Sequence, residues 1–335
     1  DLSVSKPTME DVARQAGVSR SLVSLVFQDA PNVSKARRAA VLEAAELLDY
    51  RPNRLARNLA RGRTMTLGVV IDDLHPFFAR CVEGIEQHAD GAGYHVLIAN
   101  GARNATRTAD ALSTFGSLQV DGAIAVGARG DISALNRATA DIPLVLVSFE
   151  APASEVDTVN NDESNGATLV VDHLVELGHE RILHVDGGQG ASASGRRAGY
   201  SAAMKRVGLG SQIDVIVADY TYESGQQAAT TIAGLSDRPT AVFAANDLNA
   251  LGMISEFNRL GIGVPSEISV VGYDDTSYVG HGAQGLTTIH QPVHEMGSRA
   301  AELLVERIEC GRTTTAHEVL PPMLVVRGTT APVVH

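Results

Sequence analysis

Residues 8–27 read TMEDVARQAGVSRSLVSLVF, and the fold is decided in this stretch. It predicts a helix, a tight turn at Ala16-Gly17-Val18 and a second short helix. Thr8 stands three residues before Asp11, a capping-box-like start, and Val12 and Ala13 give the first helix an apolar face toward Val23 and Val26 of the second. Gly17 can adopt the left-handed turn, and Ser19 is placed to cap the next helix with its hydroxyl. With Val18, Leu22 and Val23 packed inward, Arg20, Ser21 and Ser24 fall largely outward. An exposed helix start carrying Arg and Ser suits the major groove, where Arg can make two hydrogen bonds to guanine and Ser can reach a phosphate or a base edge. An ordinary helical hairpin is the competing reading of this stretch alone.

Working outward, residues 34–48 predict a third helix, with Ser34 as cap and Val41, Leu42, Ala45 and Leu48 closing a three-helix core. Residues 50–64, YRPNRLARNLARGRT, then carry five arginines and no acid. Pro52 can start a helix with Leu55 and Leu59 on one face, but about two turns are marginal alone in water. The segment reads either as a flexible basic linker or as one that orders on DNA, pairs with its twin and wedges Leu59 into the minor groove.

Charge divides the chain. The whole carries −12, yet residues 1–63 hold 11 Lys and Arg against 7 Asp and Glu, while the remainder holds 16 against 32. Only the first segment suits a polyanion. With 335 residues and 44% hydrophobic content there is room for two or three domains. No apolar run of about 18 residues spans a membrane, and the polar start shows no export signal, so a cytoplasmic protein is expected. Two distant cysteines, Cys81 and Cys310, fit a reducing compartment.

From residue 65 the pattern becomes short apolar runs alternating with helical segments. Residues 65–71, 94–100, 122–127 and 143–149 read as buried parallel strands, with helices near 76–92, 105–118 and 131–140 between them. A second series follows, with strands near 181–185, 213–217, 240–244 and 268–272 and helices near 163–177, 195–207, 223–235 and 247–260. The expected architecture is an all-α helix-turn-helix headpiece (1–50), a hinge helix and linker (51–63) and an α/β core (64–335) of two doubly wound parallel-sheet lobes. One lobe takes about 64–160 and 291–320, the other about 161–290 and 321–335.

Ligands of open parallel sheets bind beyond the carboxyl ends of the strands. The polar residues there form a set: Asp72 and His75, Asp162, Arg196, Tyr220 and Tyr222, Asn246 and Asp247, Asp274 and Asp275, and Gln291, interleaved with Phe77 and Phe78. Carboxylates, amides and one Arg beside aromatic rings suit a polyhydroxylated or planar polar ligand. Asp247 is expected to cap the following helix. Enzymatic readings fare worse. The loop 187–195 has neither GxGxxG spacing nor a GK[ST] ending, and Asp274 and Asp275 are adjacent, so their side chains diverge. Pro292 interrupts a helix that would align His290 with His294, and His173, His179 and His184 lack metal-ligand spacing. No metal, cofactor or catalytic residue is expected.

These motifs together resemble the LacI/GalR family of bacterial transcriptional regulators along nearly the whole chain. The resemblance is carried by DVARQAGVS with Val23-Ser24, YRPNRLARNL, VDGAI, HLVELGHERI, RRAGY, NDLNALG, GIGVPSEISVVGYDD and TTIHQPV. It implies a DNA-binding headpiece, a hinge helix that folds on the operator and a core like that of periplasmic sugar-binding proteins. Residue by residue, it implies Arg20 and Ser21 as base readers, Ser19, Ser24 and Ser34 at phosphates, Asn53 and Ala56 at the minor groove and Leu59 as the leucine that opens the central base step; Thr8, Leu25 and Arg57 complete the candidate DNA contacts. The effector candidates are Asp72, His75, Phe78, Asp162, Arg196, Tyr220, Asn246, Asp274 and Gln291.

Departures from the family pattern shape the expectations further. LVSL stands where TVSR is usual, so Leu25 replaces an Arg that can reach a base, and His75-Pro76 replaces Asn-Pro before Phe77. The chain shows no leucine heptad tail after LVVRGTT, so a homodimer on a pseudo-palindromic operator is the default, with no membrane partner. The resemblance and the polar cleft favour a sugar or sugar derivative as effector of a repressor. A purine-type corepressor is the alternative, and a solute-binding protein without DNA activity a more distant one.

Overall fold

The computed structural model describes residues 7–27, 30–50, 63–139, 142–149, 156–280 and 285–333. It divides into two compact units, Asp1–Thr64 and Met65–His335. No helix among the described residues is long and apolar enough to cross a membrane.

The first unit holds α1 (Met9–Ala16), α2 (Arg20–Phe27) and α3 (Lys35–Leu47). Thr8 and Asp11 make the reciprocal capping box, and Gly17 ends α1 at φ 64°, a conformation that a Cβ disfavours. Ser19 Oγ accepts from Leu22 N at 3.2 Å, and Ser34 Oγ accepts from Arg37 N at 3.4 Å. Val12, Ala13, Val23, Val26, Val41, Ala44 and Ala45 form the core, with Val18 and Leu48 packed against it. Leu42 departs from expectation: it is 50% exposed, and Ala44 takes the inward place. Positions 41, 45 and 48 share a face with 44, whereas 42 is rotated about 100° away from 41. Arg38 donates to Ala30 O at 2.7 Å, tying α3 to the chain leaving α2.

The second unit begins with β1 (Thr66–Ile71), α4 (Pro76–Gly91), β2 (His95–Asn100), α5 (Ala105–Ser117), β3 (Gly122–Val126), α6 (Ile132–Ala138), β4 (Leu144–Val147) and β5 (Asp157–Asn161). It continues with α7 (Glu163–Glu176), β6 (Ile182–Asp186), α8 (Ala193–Arg206), β7 (Asp214–Val217), α9 (Tyr222–Ala233), β8 (Ala241–Phe243), α10 (Asp247–Arg259) and β9 (Ser269–Val271). The chain closes with β10 (Thr288–His290), α11 (Val293–Cys310), β11 (His317–Leu320) and β12 (Met323–Val325). The first lobe is a six-stranded parallel sheet in the order β11-β5-β4-β3-β1-β2, and the second a four-stranded parallel sheet β7-β6-β8-β9. Antiparallel β10 and β12 form a small separate ribbon.

Two differences from the sequence reading follow from strand pairing, and a third concerns a helix. β5 and β11 extend the first sheet, although their sequences DTVNN and HEVL are too polar to announce buried strands. β2 is apolar in sequence yet lies at the sheet edge, with Leu97 38% and Ile98 45% exposed. No helix joins His290, at the end of β10, to His294, as expected; Pro292 instead precedes α11, a helix absent from the sequence reading, which buries Met296, Leu303 and Leu304 against the first sheet, a contribution of about 1.5–3 kcal/mol for each large apolar side chain. α11 meets α4 so closely that a Cβ on Gly84 would lie 2.0 Å from His294 O, and one on Gly297 would lie 2.0 Å from Cys81 O. That crossing anchors the helix whose first turn, at His75 to Phe78, borders the cleft.

Candidate functional site

Carboxyl ends of both sheets converge on a cleft. From the first lobe come Asp72, Asp73, His75, Phe77 and Phe78, then Arg103 and Ser148; from the second come Glu163, Ser192, Arg196, Tyr220, Asn246 and Asp274, with Gln291 from the crossing before α11. Eight of the nine expected effector residues therefore share one lining. Asp162 is not among them: its carboxylate accepts from Asn165 N at 2.9 Å and caps α7. Tyr222 begins α9 outside the lining.

Arg196 is the centre of the second-lobe wall. Its Nε donates to Glu163 Oε2 at 2.8 Å, its NH1 donates to Ala245 O, and its guanidinium lies 3.7 Å from the centre of the Tyr273 ring. Burial works against this charge, but Glu163, Tyr220, Tyr273 and Asp274 together outweigh it and hold the guanidinium protonated. Tyr273 is itself fixed by Asn161, whose Nδ2 donates to its hydroxyl at 2.8 Å. Tyr220 donates to Ala191 O at 2.7 Å, leaving its ring in the lining, and burial raises its phenol.

The cap expected of Asp247 falls to Asn246, which keeps its place in the lining as well. Asn246 is the cap of α10, accepting from Asn249 N at 2.9 Å, and it also lines the cavity. Asp247 is wholly buried and accepts from Thr276 N at 2.7 Å, Thr276 Oγ1 at 2.8 Å and Thr288 Oγ1. It organises the turn that presents Asp274. Asp274 has φ 113°, a region sparsely populated by side-chain-bearing residues, and accepts from Gln291 Nε2 at 2.7 Å. Burial raises both carboxyls; Asp247 adds to the rise of Asp274, and Asp275 to that of Asp247. Asp275 turns away, accepting from Arg327 NH2 at 2.6 Å with His290 Nδ1 at 3.1 Å, so the adjacent carboxylates do not act as a pair.

In the first lobe, Asp72 is raised by burial and partly offset by Arg129, whose Nε lies 3.1 Å from it. Phe77 and Phe78 meet edge to face, centroids 5.2 Å apart. Contacts that span the lobes include Arg103 NH2 donating to Asp219 Oδ1 at 2.5 Å and His75 Nε2 lying 2.9 Å from Tyr278 Oη. The lining residues Asp73, Arg103, Ser148 and Glu163 are absent from the sequence-derived set. Arg103 and Ser148 follow β2 and β4, so the same rule of polar residues after strands reaches them; Glu163 sits behind the more conspicuous Asp162.

On the headpiece, Arg20, Ser21, Ser19, Thr8 and Ser34 are exposed, while Ser24 and Leu25 are half-buried. Thr8, Ser19 and Ser34 also serve as caps. The hinge candidates Asn53, Ala56, Arg57 and Leu59 lie outside the described residues. Among the described residues no group of three or more His, Cys, Asp or Glu could hold a metal ion.

A helix-turn-helix unit sharing one chain with a two-lobed core and a polar interlobe cleft defines a ligand-controlled DNA-binding regulator. Comparisons with known proteins agree. Residues 8–53 match the bacterial regulatory proteins of the lacI family, and residues 171–330 match a periplasmic binding protein-like domain. The HTH-type transcriptional repressor PurR of Photobacterium profundum is 32% identical over 96% of this chain and 97% of its own length. The HTH-type transcriptional repressor CytR of Escherichia coli is 32% identical over 96% of both. Among solved structures, the lac repressor dimer bound to operator and the anti-inducer ONPF superposes with a TM-score of 0.89 at 29% identity, covering 97% of this chain and 99% of that one. A complex of the transcriptional regulator CelR with cellobiose gives 0.72 at 30% identity, covering 96% and 99%. The chain belongs to the lacI family of bacterial regulatory proteins. It is a regulator and not an enzyme.

Proposed function

We propose that the protein is a sequence-specific transcriptional repressor whose operator affinity is set by a small molecule, a sugar or sugar derivative, held in the interlobe cleft. The observation that carries this is the exposed Arg20-Ser21 pair at the start of α2, on a basic headpiece in the same chain as that cleft. Arg20, Ser21 and Leu25 face base edges in this reading, Thr8, Ser19, Ser24 and Ser34 the backbone, and Asn53, Ala56, Arg57 and Leu59 the minor groove. Its units are a headpiece (1–50), a hinge (51–63) and a core (64–335). A homodimer is supported by the operator-bound lac repressor dimer among the similar structures and by the apolar edge of β2, which a second copy would cover. The setting is cytoplasmic, where the operator is.

Asp72, His75, Phe78, Arg196, Tyr220, Asn246, Asp274 and Gln291 are the proposed effector contacts, and Asp162 acts through the α7 cap beside Glu163. A planar heterocycle is the second reading, supported by the Phe77, Phe78 and Tyr220 rings in the lining. Selection of bound sites from a randomised DNA pool tests the DNA half. Enrichment of a two-fold-symmetric sequence, with half-sites about one helical turn or slightly more apart, is expected; recovery of no shared sequence would refute it.

A further inference from the structure

Arg103 stands between two carboxylates, one from each lobe. Its NH2 donates to Asp219 Oδ1 of the second lobe at 2.5 Å, and its Nε lies 3.8 Å from Asp73 Oδ2 of the first. The contact with Asp219 exists only while the lobes are together. The one with Asp73 lies within a single lobe and survives their separation.

Both ends of the crossing pair are built in place. Ala102 and Arg103 are consecutive residues at φ 51° and 56°, a left-handed region that side-chain-bearing residues enter only when their surroundings hold them there. Asn100 Oδ1 accepts from Ala102 N at 2.7 Å, Asp72 O accepts from Arg103 N at 2.8 Å, and Asn104 caps α5 directly afterwards. Opposite, Asp219 Oδ1 also accepts from Tyr220 N at 2.8 Å, while Asp219 O accepts from Ser224 Oγ at 2.6 Å and Asn249 Nδ2 at 3.2 Å. A pair of freely moving surface side chains gains little, because ordering both cancels most of their attraction. Here the carboxylate is already fixed and the guanidinium is aimed by its turn. The guanidinium is 27% exposed and the carboxylate 48%, so dissolved salt still reaches the pair.

Charge gives the pairing a direction. Asp73 is held by His75 N, which donates to its Oδ1 at 2.8 Å, so its other oxygen faces Arg103. Without the guanidinium, Asp73 and Asp219 would meet across the mouth of the cleft as like charges and oppose closure. With it, closure places one cation between two anions.

We propose that Arg103 is a latch: paired with Asp219 it holds the cleft closed through the chain's own groups, and Asp73 competes for it when the cleft opens. The competition keeps the two states close in free energy, so that a small differential affinity of an effector shifts them. Only this last consequence rests on the regulator reading above.

Pulsed dipolar spectroscopy of the full chain, with no DNA or small molecule added, tests the latch. Spin labels go on Ser113→Cys in α5 and Gln227→Cys in α9, both exposed, with the exposed Cys310 changed to Ser. Excess unlabelled chain ensures that each assembly carries one labelled copy. Two distance populations are expected, and the ratio of short to long should fall about 2- to 10-fold in Arg103→Gln and in Asp219→Asn. Asp73→Asn should raise the ratio, because it removes the competing partner. Raising salt from about 0.05 to about 0.5 M should lower the ratio in the wild type and leave it nearly constant in Arg103→Gln. The wild-type salt response decides the matter if the variants fail to fold.

A ratio unchanged in folded Asp219→Asn, a shift in the same direction for both carboxylate variants, or a wild-type ratio indifferent to salt overturns the latch. None of these touches the regulator reading, which stands or falls on selection of a shared DNA sequence.

Discussion

The imidazole of His75, at the start of α4 in the first lobe, meets the phenol of Tyr278, in the second lobe, at 2.9 Å. His75 Nδ1 accepts from Phe77 N at 3.2 Å, which requires the other ring nitrogen to carry the proton, so Nε2 donates to Tyr278 Oη. One neutral side chain thus caps a helix and bridges the lobes. It does so where this chain departs from the Asn-Pro usual in the family.

Removing the bridge is expected to favour the open cleft. Tyr278→Phe keeps the ring and deletes one hydrogen bond, a net loss of about 0.5–1.5 kcal/mol, so effector affinity should fall about 2- to 10-fold. Burial lowers the pKa of His75 below its ordinary 6.5, with Asp73 pulling the other way and Arg103 adding to the fall. A group lowered in this way contributes fully above pH 6.5 and loses its contribution as pH drops through the folded value. Protonation at Nδ1 breaks the cap to Phe77 N but leaves Nε2–H donating to Tyr278, so the difference between wild type and Tyr278→Phe should persist or widen on acidification. Effector titrations of both proteins at about pH 7.5 and about pH 5.5 check this, and a difference that vanishes at the lower pH would contradict it.

Asp157 makes an independent prediction about stability. Burial pushes its carboxyl up, but hydrogen bonds from Arg307, Arg312 and Ala316 N outweigh burial and hold it down at about 2. It joins β5 to the segment after α11. A carboxyl lowered from 3.8 stabilises the fold above about pH 4 and loses that contribution as pH falls toward about 2. At about 1.4 kcal/mol per pK unit, the contribution is about 2 kcal/mol. Asp157→Asn should thus lower core stability in urea by about 2 kcal/mol or more at neutral pH, with the gap narrowing below about pH 4.

Base reading by the headpiece predicts a third outcome. Arg20→Ala should cost about 1–3 kcal/mol against the preferred site and relax selectivity at one position of each half-site. Leu25→Arg restores a donor where the family usually has one and should shift the preferred base at a second position. Fluorescence anisotropy on single-base variants at fixed salt separates these effects from a uniform loss of phosphate contacts.

Much of the fold is legible in the sequence because local rules and tertiary packing agree there. The capping box at Thr8-Asp11, the turn at Gly17, and the alternation of strand and helix each follow from short-range chemistry. What escapes depends on neighbours that sequence does not show. β5 and β11 are polar strands made strands by the sheet they join, and β2 is an apolar strand left at the edge. Composition assigns Leu42 inward, although helical geometry turns it outward. At the cleft, side chains after strands are found readily, but the cap assigned to Asp247 belongs to Asn246, because either residue can cap α10. Only the fold brings Thr276 and Thr288 to Asp247. Glu163 escapes because its partner, Arg196, lies 33 positions away.

Coupling between the two units is the central claim, and equilibrium binding of the full chain to its selected operator, with and without a saturating sugar, tests it most directly. The account predicts that the sugar changes operator affinity about 5- to 150-fold, a coupling of about 1–3 kcal/mol, with weakening marking an inducer and strengthening a corepressor. Operator affinity that stays the same while the sugar demonstrably occupies the cleft would contradict it.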